Sequence, residues 1–254
     1  MRYFIKLAYN GTHYHGWQYQ PNASSVQETM NKAISVLLNA RTDNGNDSAQ
    51  INLMGAGRTD TGVHAREMFA HFDFDSPFDI PSLVHKLNSY LPKDITVFDI
   101  IPVHDQAHTR FDATKRTYEY HINTFKDVFL QDASWYFYQK LDVDLMNQAA
   151  EILLKETDFQ CFSKVNTEVN TFNCTITEAY WKQDHSQLVF TISADRFLRN
   201  MVRAIVGTLV NVGLHKISLE EFKQIIASKD RSKAGFSAPA HGLYLTKIDY
   251  NYIK

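Results

Sequence analysis

Residues 55–65 read Gly-Ala-Gly-Arg-Thr-Asp-Thr-Gly-Val-His-Ala, with apolar, strand-like sequence on both sides. Glycines at 55, 57 and 62 permit a positive φ or a close approach of backbone to a ligand. No Gly-Lys-Ser/Thr closes the segment, so it is not a P-loop. Asp60 also stands where a dinucleotide fingerprint needs its last glycine, and its charge would repel a pyrophosphate. A single carboxylate on a loop, two residues from Arg58, suits instead a nucleophile or a general base that the guanidinium keeps ionised. The plainer alternative is a tight interstrand turn with a surface Arg and Asp.

Two further segments carry charge in a pattern. Arg196, Arg199, Asn200 and Arg203 fall at helical spacing and are expected to share one face of an apolar helix running from about Phe197 to Val212, with Gly207 continuing the stripe. Such a row either faces solvent or pairs one guanidinium with a carboxylate while others hold phosphates; Asp60 is the carboxylate this reading names. Lys115-Arg116-Thr-Tyr118-Glu-Tyr120 sets basic residues beside alternating tyrosines, which on a strand share a face. Tyr118 is placed either to pack on a sheet or to stack on a nucleobase. Lys229, Arg231 and Lys233 form a small positive run that also reads as a solvated loop.

The 11 histidines match neither H-E-x-x-H nor a Cys/His zinc spacing, so no metal site is expected. Cys161 and Cys174 are too few for a disulfide framework, and no Gly-x-Ser-x-Gly elbow is present.

These residues must be positioned by a chain of 254 residues with 44% hydrophobic and 21% charged residues, which excludes a disordered chain, a collagen and a coiled coil. The formal net charge of -2 means that any anion-binding surface is a local patch. No apolar run approaches a membrane span, and the start has no secretory h-region, so a cytoplasmic protein away from membranes is expected.

Strands are expected at Tyr3 to Ala8, Gln50 to Met54, Met68 to Phe74, Ile95 to Ile101 (ended by Pro102), Thr117 to Ile122, Trp135 to Tyr138 and Leu243 to Tyr252. Phe172 to Tyr180 and Gln187 to Ala194 read as a hairpin. Helices are expected after the Ser25–Glu28 and Ser218–Glu221 capping boxes, over Asp79 to Tyr90 and over Asp144 to Leu154. The mixture predicts an α+β fold of two similar halves, each a mixed or antiparallel sheet with helices on one face. The polar stretch 104–116 suggests an N-terminal half, 1–104, with the Asp60 loop and a C-terminal half, 105–254, with the arginine helix.

Together the motifs resemble the tRNA pseudouridine synthase A family. GRTDTGVHA at 57–65 resembles its catalytic motif, and YNGTHYHGWQYQ with SVQ at 25–27 its N-terminal strand and turn. KRTYEY at 115–120, DRFLRNMVRAIVG at 195–207 and SAPAHGLYL at 237–245 resemble three further motifs in the same order. The resemblance implies a pseudouridine synthase-like fold, a homodimer, no cofactor, and isomerisation of uridine at positions 38, 39 and 40 of the tRNA anticodon stem-loop. It implies Asp60 as the essential aspartate, Tyr118 as the residue stacking on the base and Arg203 as the partner of the aspartate. Arg58 would help to place the flipped nucleotide, Leu245 would pack against the base, and Arg199 and Asn200 belong to the substrate-binding set. The alternatives are a non-catalytic structured-RNA-binding protein, which gives Asp60 no task, and an enzyme acting on a phosphorylated small molecule.

Overall fold

The computed structural model describes residues 1–38, 50–165 and 169–253. The chain has a mixed α+β fold with sheet strands and helices packed on one face. It divides into two compact units, Met1–Thr114 with Leu245–Lys254, and Lys115–Tyr244. The polar stretch read as the connection between halves is largely built into the first unit. Arg2 Nη1 donates to the Ala107 carbonyl at 2.9 Å, the Tyr250 hydroxyl to the Thr109 carbonyl at 2.6 Å, and Tyr252 to Asp112 at 2.7 Å.

In the first unit β1 (Arg2–Tyr9) lies between β4 (Ile95–Val103) and β3 (His64–Asp73), antiparallel to both, and the last strand of the chain, β9 (Leu243–Tyr250), lies beside β3. Tyr3, Ile5, Leu7 and Tyr9 are buried on one face of β1; on the other, Arg2, Lys6 and Ala8 are only half-buried and Phe4 alone is covered, by the rings of His71, Tyr250 and Tyr252. Pro102 does not end β4 as the sequence suggested. It sits within the strand opposite Tyr3, tolerated because β4 is the outer strand of this order.

Helix α1 (Val26–Leu38) buries Val26, Met30, Ala33 and Ile34, and α2 (Ile80–Tyr90) starts where the Asp79 carboxylate accepts the Ser82 N–H at 2.9 Å. The strand expected over Gln50 to Met54 shrinks to β2 (Met54–Gly55). Side chains of α1 take its hydrogen bonds instead. Ser35 accepts the Ile51 N–H at 2.8 Å, Asn31 accepts that of Leu53 at 2.9 Å, and Gln27 donates to the Leu53 carbonyl at 2.7 Å.

In the second unit β5 (Ala113–Asn123) pairs antiparallel with β8 (Gln187–Ala194), which forms the expected hairpin with β7 (Ile176–Asp184). The short β6 (Trp135–Tyr136) runs parallel to the end of β5. Helix α3 (Val143–Leu153) is capped by Asp142, and α5 (Leu219–Ser228) by the complete Ser218–Glu221 box. Helix α4 (Met201–Gly213) is buried along nearly its whole length, which explains its almost unbroken apolar sequence.

Candidate active site

The loop carrying Asp60 rests on a second loop, residues 10–19, immediately after β1. Gly16 has φ +85°, and a Cβ there would run into the Thr59 carbonyl; the Asp60 carbonyl carbon would lie 3.2 Å away. The Thr59 carbonyl accepts the Trp17 N–H at 3.3 Å, and the Thr59 hydroxyl bonds the Tyr9 hydroxyl at 2.9 Å in a buried setting. Gly62, with φ +76°, donates its N–H to the Tyr14 carbonyl at 3.3 Å, and Val63 closes the turn onto the Asp60 carbonyl at 3.1 Å. On the far side, the Gly11 N–H donates to Nδ1 of the buried His64 at 3.0 Å.

Anchors hold this support in turn. The Tyr14 hydroxyl donates to Asp94 at 2.8 Å; burial first, and then that carboxylate, push its pKa up. The Val26 and Gln27 amides at the start of α1 donate to the Gly16 and Trp17 carbonyls at 3.2 and 3.0 Å. Orphan N–H groups of a helix N-terminus therefore fix the loop beneath the carboxylate. The result is a half-buried Asp60 on a backbone determined from both sides, with the exposed Arg58 two residues before it. A carboxylate on a fixed backbone that still meets solvent suits a nucleophile or a base.

In the second unit Tyr118 lies on β5 opposite Ile192, half-buried, with its ring edge-to-face on Phe197 at 5.1 Å and 85°. Tyr120 is fully buried and donates to the Pro239 carbonyl at 2.7 Å; burial drives its pKa up. Arg203 lies in the first turn of α4. Its Nε donates to the Ala238 carbonyl at 2.6 Å, and the Ala238 N–H returns a bond to the Arg203 carbonyl at 3.0 Å. The neighbouring Ser237 hydroxyl is held by Asn200 Nδ2 at 2.7 Å and by Arg231 Nη2 at 2.9 Å. Gly207 leaves room for the Phe236 backbone, and Thr208 accepts the Gly235 N–H at 2.9 Å. Burial, offset by Asp132 and reinforced by the Arg203 charge, lowers the pKa of the half-buried His241.

The shared helical face expected for the arginines does not form. Helix α4 starts at Met201; Asn200 is left-handed at φ +66°, and Arg196 and Arg199 precede the helix. The Arg196 N–H bonds the Asp195 carboxylate at 2.8 Å, and the Arg199 carbonyl accepts the Lys164 N–H at 3.0 Å, so their backbone is committed elsewhere. Of the four, the structure brings Asn200 and Arg203 together on the 237–238 segment and leaves Arg199 exposed. Leu245 is buried in β9 with Asp60 and Arg58 in the first unit, whereas Tyr118, Arg199, Asn200 and Arg203 belong to the second.

The positive run near 230 is also only partly solvated. Arg231 bonds the Gly235 carbonyl at 2.9 Å as well as Ser237, and Lys229 pairs with Asp158 at 2.7 Å. Spacing missed Tyr9, Tyr14, Gly16, Trp17 and His64 as supports of the Asp60 loop. For Tyr14, Gly16 and Trp17 the one signal was the density of Gly, His and aromatic residues in 10–17. Among the described residues no group of three or more His, Cys, Asp or Glu is placed to hold a metal ion, and no helix is long and apolar enough to cross a membrane.

The family model described as tRNA pseudouridine synthase matches residues 6–112 and 149–251. A relative from Porphyromonas gingivalis named tRNA pseudouridine synthase A is 51% identical over 253 residues, covering 98% of this chain and 97% of its own length. One of the same name from Bacteroides fragilis is 49% identical, covering 98% and 96%, and one from Thermoanaerobacter pseudethanolicus is 39% identical, covering 97% and 98%.

Proposed function

This chain belongs to the tRNA pseudouridine synthase A family and is a tRNA pseudouridine synthase, and we propose that the uridines it isomerises are those at positions 38, 39 and 40 of the anticodon stem-loop. The observation that carries this reading is the half-buried Asp60 on a loop over-determined by its supports, in a sequence matching the family's catalytic motif throughout. We propose further that it works in the cytoplasm as a homodimer, without metal or cofactor.

The reaction breaks the N1–C1′ bond, turns the uracil and joins C5 to C1′; the hydrogen on C5 leaves as a proton and N1 takes one up. Nothing is oxidised or reduced, so acid–base and nucleophilic groups suffice. The uridine must first leave its stack, which costs a few kcal/mol, offset by pocket and phosphate contacts. Asp60 serves either as the nucleophile at C1′ or as the base that takes the 2′ hydrogen to give a glycal. Tyr118 stacks on the uracil during its rotation and assists removal of the C5 proton; the Phe197 ring against it restricts its own motion. Arg203 takes the role that the family resemblance gives it, the guanidinium partner of the aspartate. Arg58 engages the flipped nucleotide's backbone, Leu245 packs on the base, and Arg199 and Asn200 serve the substrate-binding edge.

The test is release of tritium from tRNA carrying C5-labelled uridine, followed by mapping of the modified positions. Release with mapping to 38, 39 and 40 is expected. Modification confined to other positions would overturn the site assignment. Activity lost on exhaustive chelation and restored by a divalent ion would overturn the metal-free reading.

A further inference from the structure

Arg231 lies in the turn between α5 and the 235–238 segment, and its neighbours fix its place there. Lys229 ends α5 left-handed at φ +56° and pairs with Asp158 at 2.7 Å. The Asp230 carboxylate accepts the Ser232 amide and hydroxyl, each at 2.8 Å, and the Asp230 carbonyl accepts the Lys233 amide at 3.2 Å. The adjacent acid is thus spent on the turn itself, and the guanidinium reaches forward. Its Nη1 donates to the Gly235 carbonyl and its Nη2 to the Ser237 hydroxyl, both at 2.9 Å. A guanidinium is planar and rigid, so bonds from two of its nitrogens hold those two acceptors at a set spacing.

The segment gripped in this way is the one that orients the polar start of α4. A Cβ on Gly207 would run into the Phe236 carbonyl, and the Thr208 hydroxyl accepts the Gly235 amide at 2.9 Å, so the 235–236 backbone lies directly on that helix. Ala238 is fully buried and exchanges its two bonds with Arg203, and the Pro239 carbonyl accepts the Tyr120 hydroxyl at 2.7 Å. Ser237 is the joint between the two sides. An arginine can only donate, so its contact makes the Ser237 oxygen an acceptor, and the same oxygen takes Asn200 Nδ2 at 2.7 Å. Asn200 is left-handed at φ +66° and gives α4 no side-chain cap. Its side chain is therefore directed by Ser237 and, through Ser237, by Arg231.

We propose that Arg231 is a positioning residue for the isomerisation: through Gly235 and Ser237 it sets the direction of Asn200 and Arg203 without itself touching the substrate. The proposal rests on the function given above. The experiment measures tritium release from C5-labelled tRNA by wild type, Arg231→Lys, Arg231→Ala and Ser237→Ala, with tRNA affinity and urea unfolding of each. A lysine keeps the charge but cannot reproduce the planar pair of bonds. The expected result is a kcat lowered about tenfold or more in all three variants, as displaced catalytic groups cause, with KM and tRNA affinity within about twofold of wild type. Millimolar guanidinium should restore part of the kcat of Arg231→Ala and none of that of Ser237→Ala, which lacks the acceptor. A lowered urea midpoint with wild-type kcat for the folded protein would make Arg231 structural only and overturn the proposal. So would a loss confined to KM and tRNA affinity, which would make it a phosphate contact. Wild-type kcat in Arg231→Lys would overturn it whether or not the Ala variants fold. A wild type that releases no tritium would overturn the function beneath the proposal and the proposal with it.

Discussion

Arg203 and Ala238 hold each other twice: the guanidinium Nε donates to the Ala238 carbonyl at 2.6 Å, and the Ala238 amide donates to the Arg203 carbonyl at 3.0 Å. The same side chain that is proposed to steady a catalytic carboxylate thus spends one donor on building its own surroundings. The remaining guanidinium nitrogens lie at the end of a planar fork whose direction that bond sets.

Replacing Arg203 with Lys keeps the charge but removes the fork. Equilibrium urea unfolding is expected to show a loss of about 1–3 kcal/mol, the scale of a hydrogen bond made by a charged group. Tritium release should fall by more than the lost stability explains. Wild-type activity in the Lys variant would show that charge alone suffices at this position.

Asp60→Asn is close to isosteric and leaves the Thr59, Gly62 and Val63 backbone bonds of the loop in place. Product formation is expected to drop by about 10⁴-fold or more, while tRNA affinity stays within a few-fold of wild type. Residual turnover near the wild-type rate would take Asp60 out of the chemistry.

Gly16→Ala tests the support rather than the carboxylate. A left-handed φ costs an L-residue roughly 1–2 kcal/mol, and here the added methyl group also meets the Thr59 carbonyl. Both stability and kcat should decline although residue 16 bears no reacting group. An unchanged kcat in a destabilised protein would separate the scaffold from the chemistry.

Tyr118→Phe preserves the ring and its contact with Phe197. The expected pattern is a KM near wild type with kcat reduced at least about tenfold, assigning the hydroxyl to proton removal. Equal kcat values would confine Tyr118 to stacking.

His71 predicts a pH dependence of stability. His71 Nδ1 lies 2.8 Å from the Thr109 hydroxyl and accepts the Thr109 amide at 3.4 Å, while that hydroxyl donates to the Met54 carbonyl at 2.8 Å. Burial first, then the neighbouring His108 and Arg2 charges, lower the His71 pKa from its ordinary 6.5 to about 4. Between those values the unfolded chain binds a proton that the folded one refuses, so stability rises with pH. It is complete above pH 6.5 and declines as pH falls toward 4, by on the order of 2 kcal/mol for this one group. His71→Asn should be less stable at pH 7 and have a flatter profile over that window; an identical slope in both proteins would acquit His71.

Most elements were legible in the sequence because their signals are local. The helix near Asp79, the Ser218–Glu221 box and the β7–β8 hairpin need only a few neighbouring residues to identify them. The errors came where distant groups claimed the backbone. Gln50 to Leu53 has a strand's apolar pattern, but α1 side chains satisfy its amides, and nothing nearby in the sequence announces them. The arginine pattern of 196–203 obeys helical spacing, yet Asn200 turns left-handed and the helix begins after it. A turn at 55–63 was legible from its glycines; the tier of Tyr9, Tyr14 and Trp17 beneath it was not, because those contacts join loops some 40–50 residues apart.

The first unit is not contiguous in sequence. Its strand from Leu245 onward, bonded through Tyr250 to Thr109 and through the Ile248 amide to Glu67 at 2.8 Å, is made only after all of Lys115–Tyr244. In order of synthesis the second unit therefore has its last residue at Tyr244, while the unit that holds the Asp60 loop still awaits its closing strand; the half begun first is the half completed last.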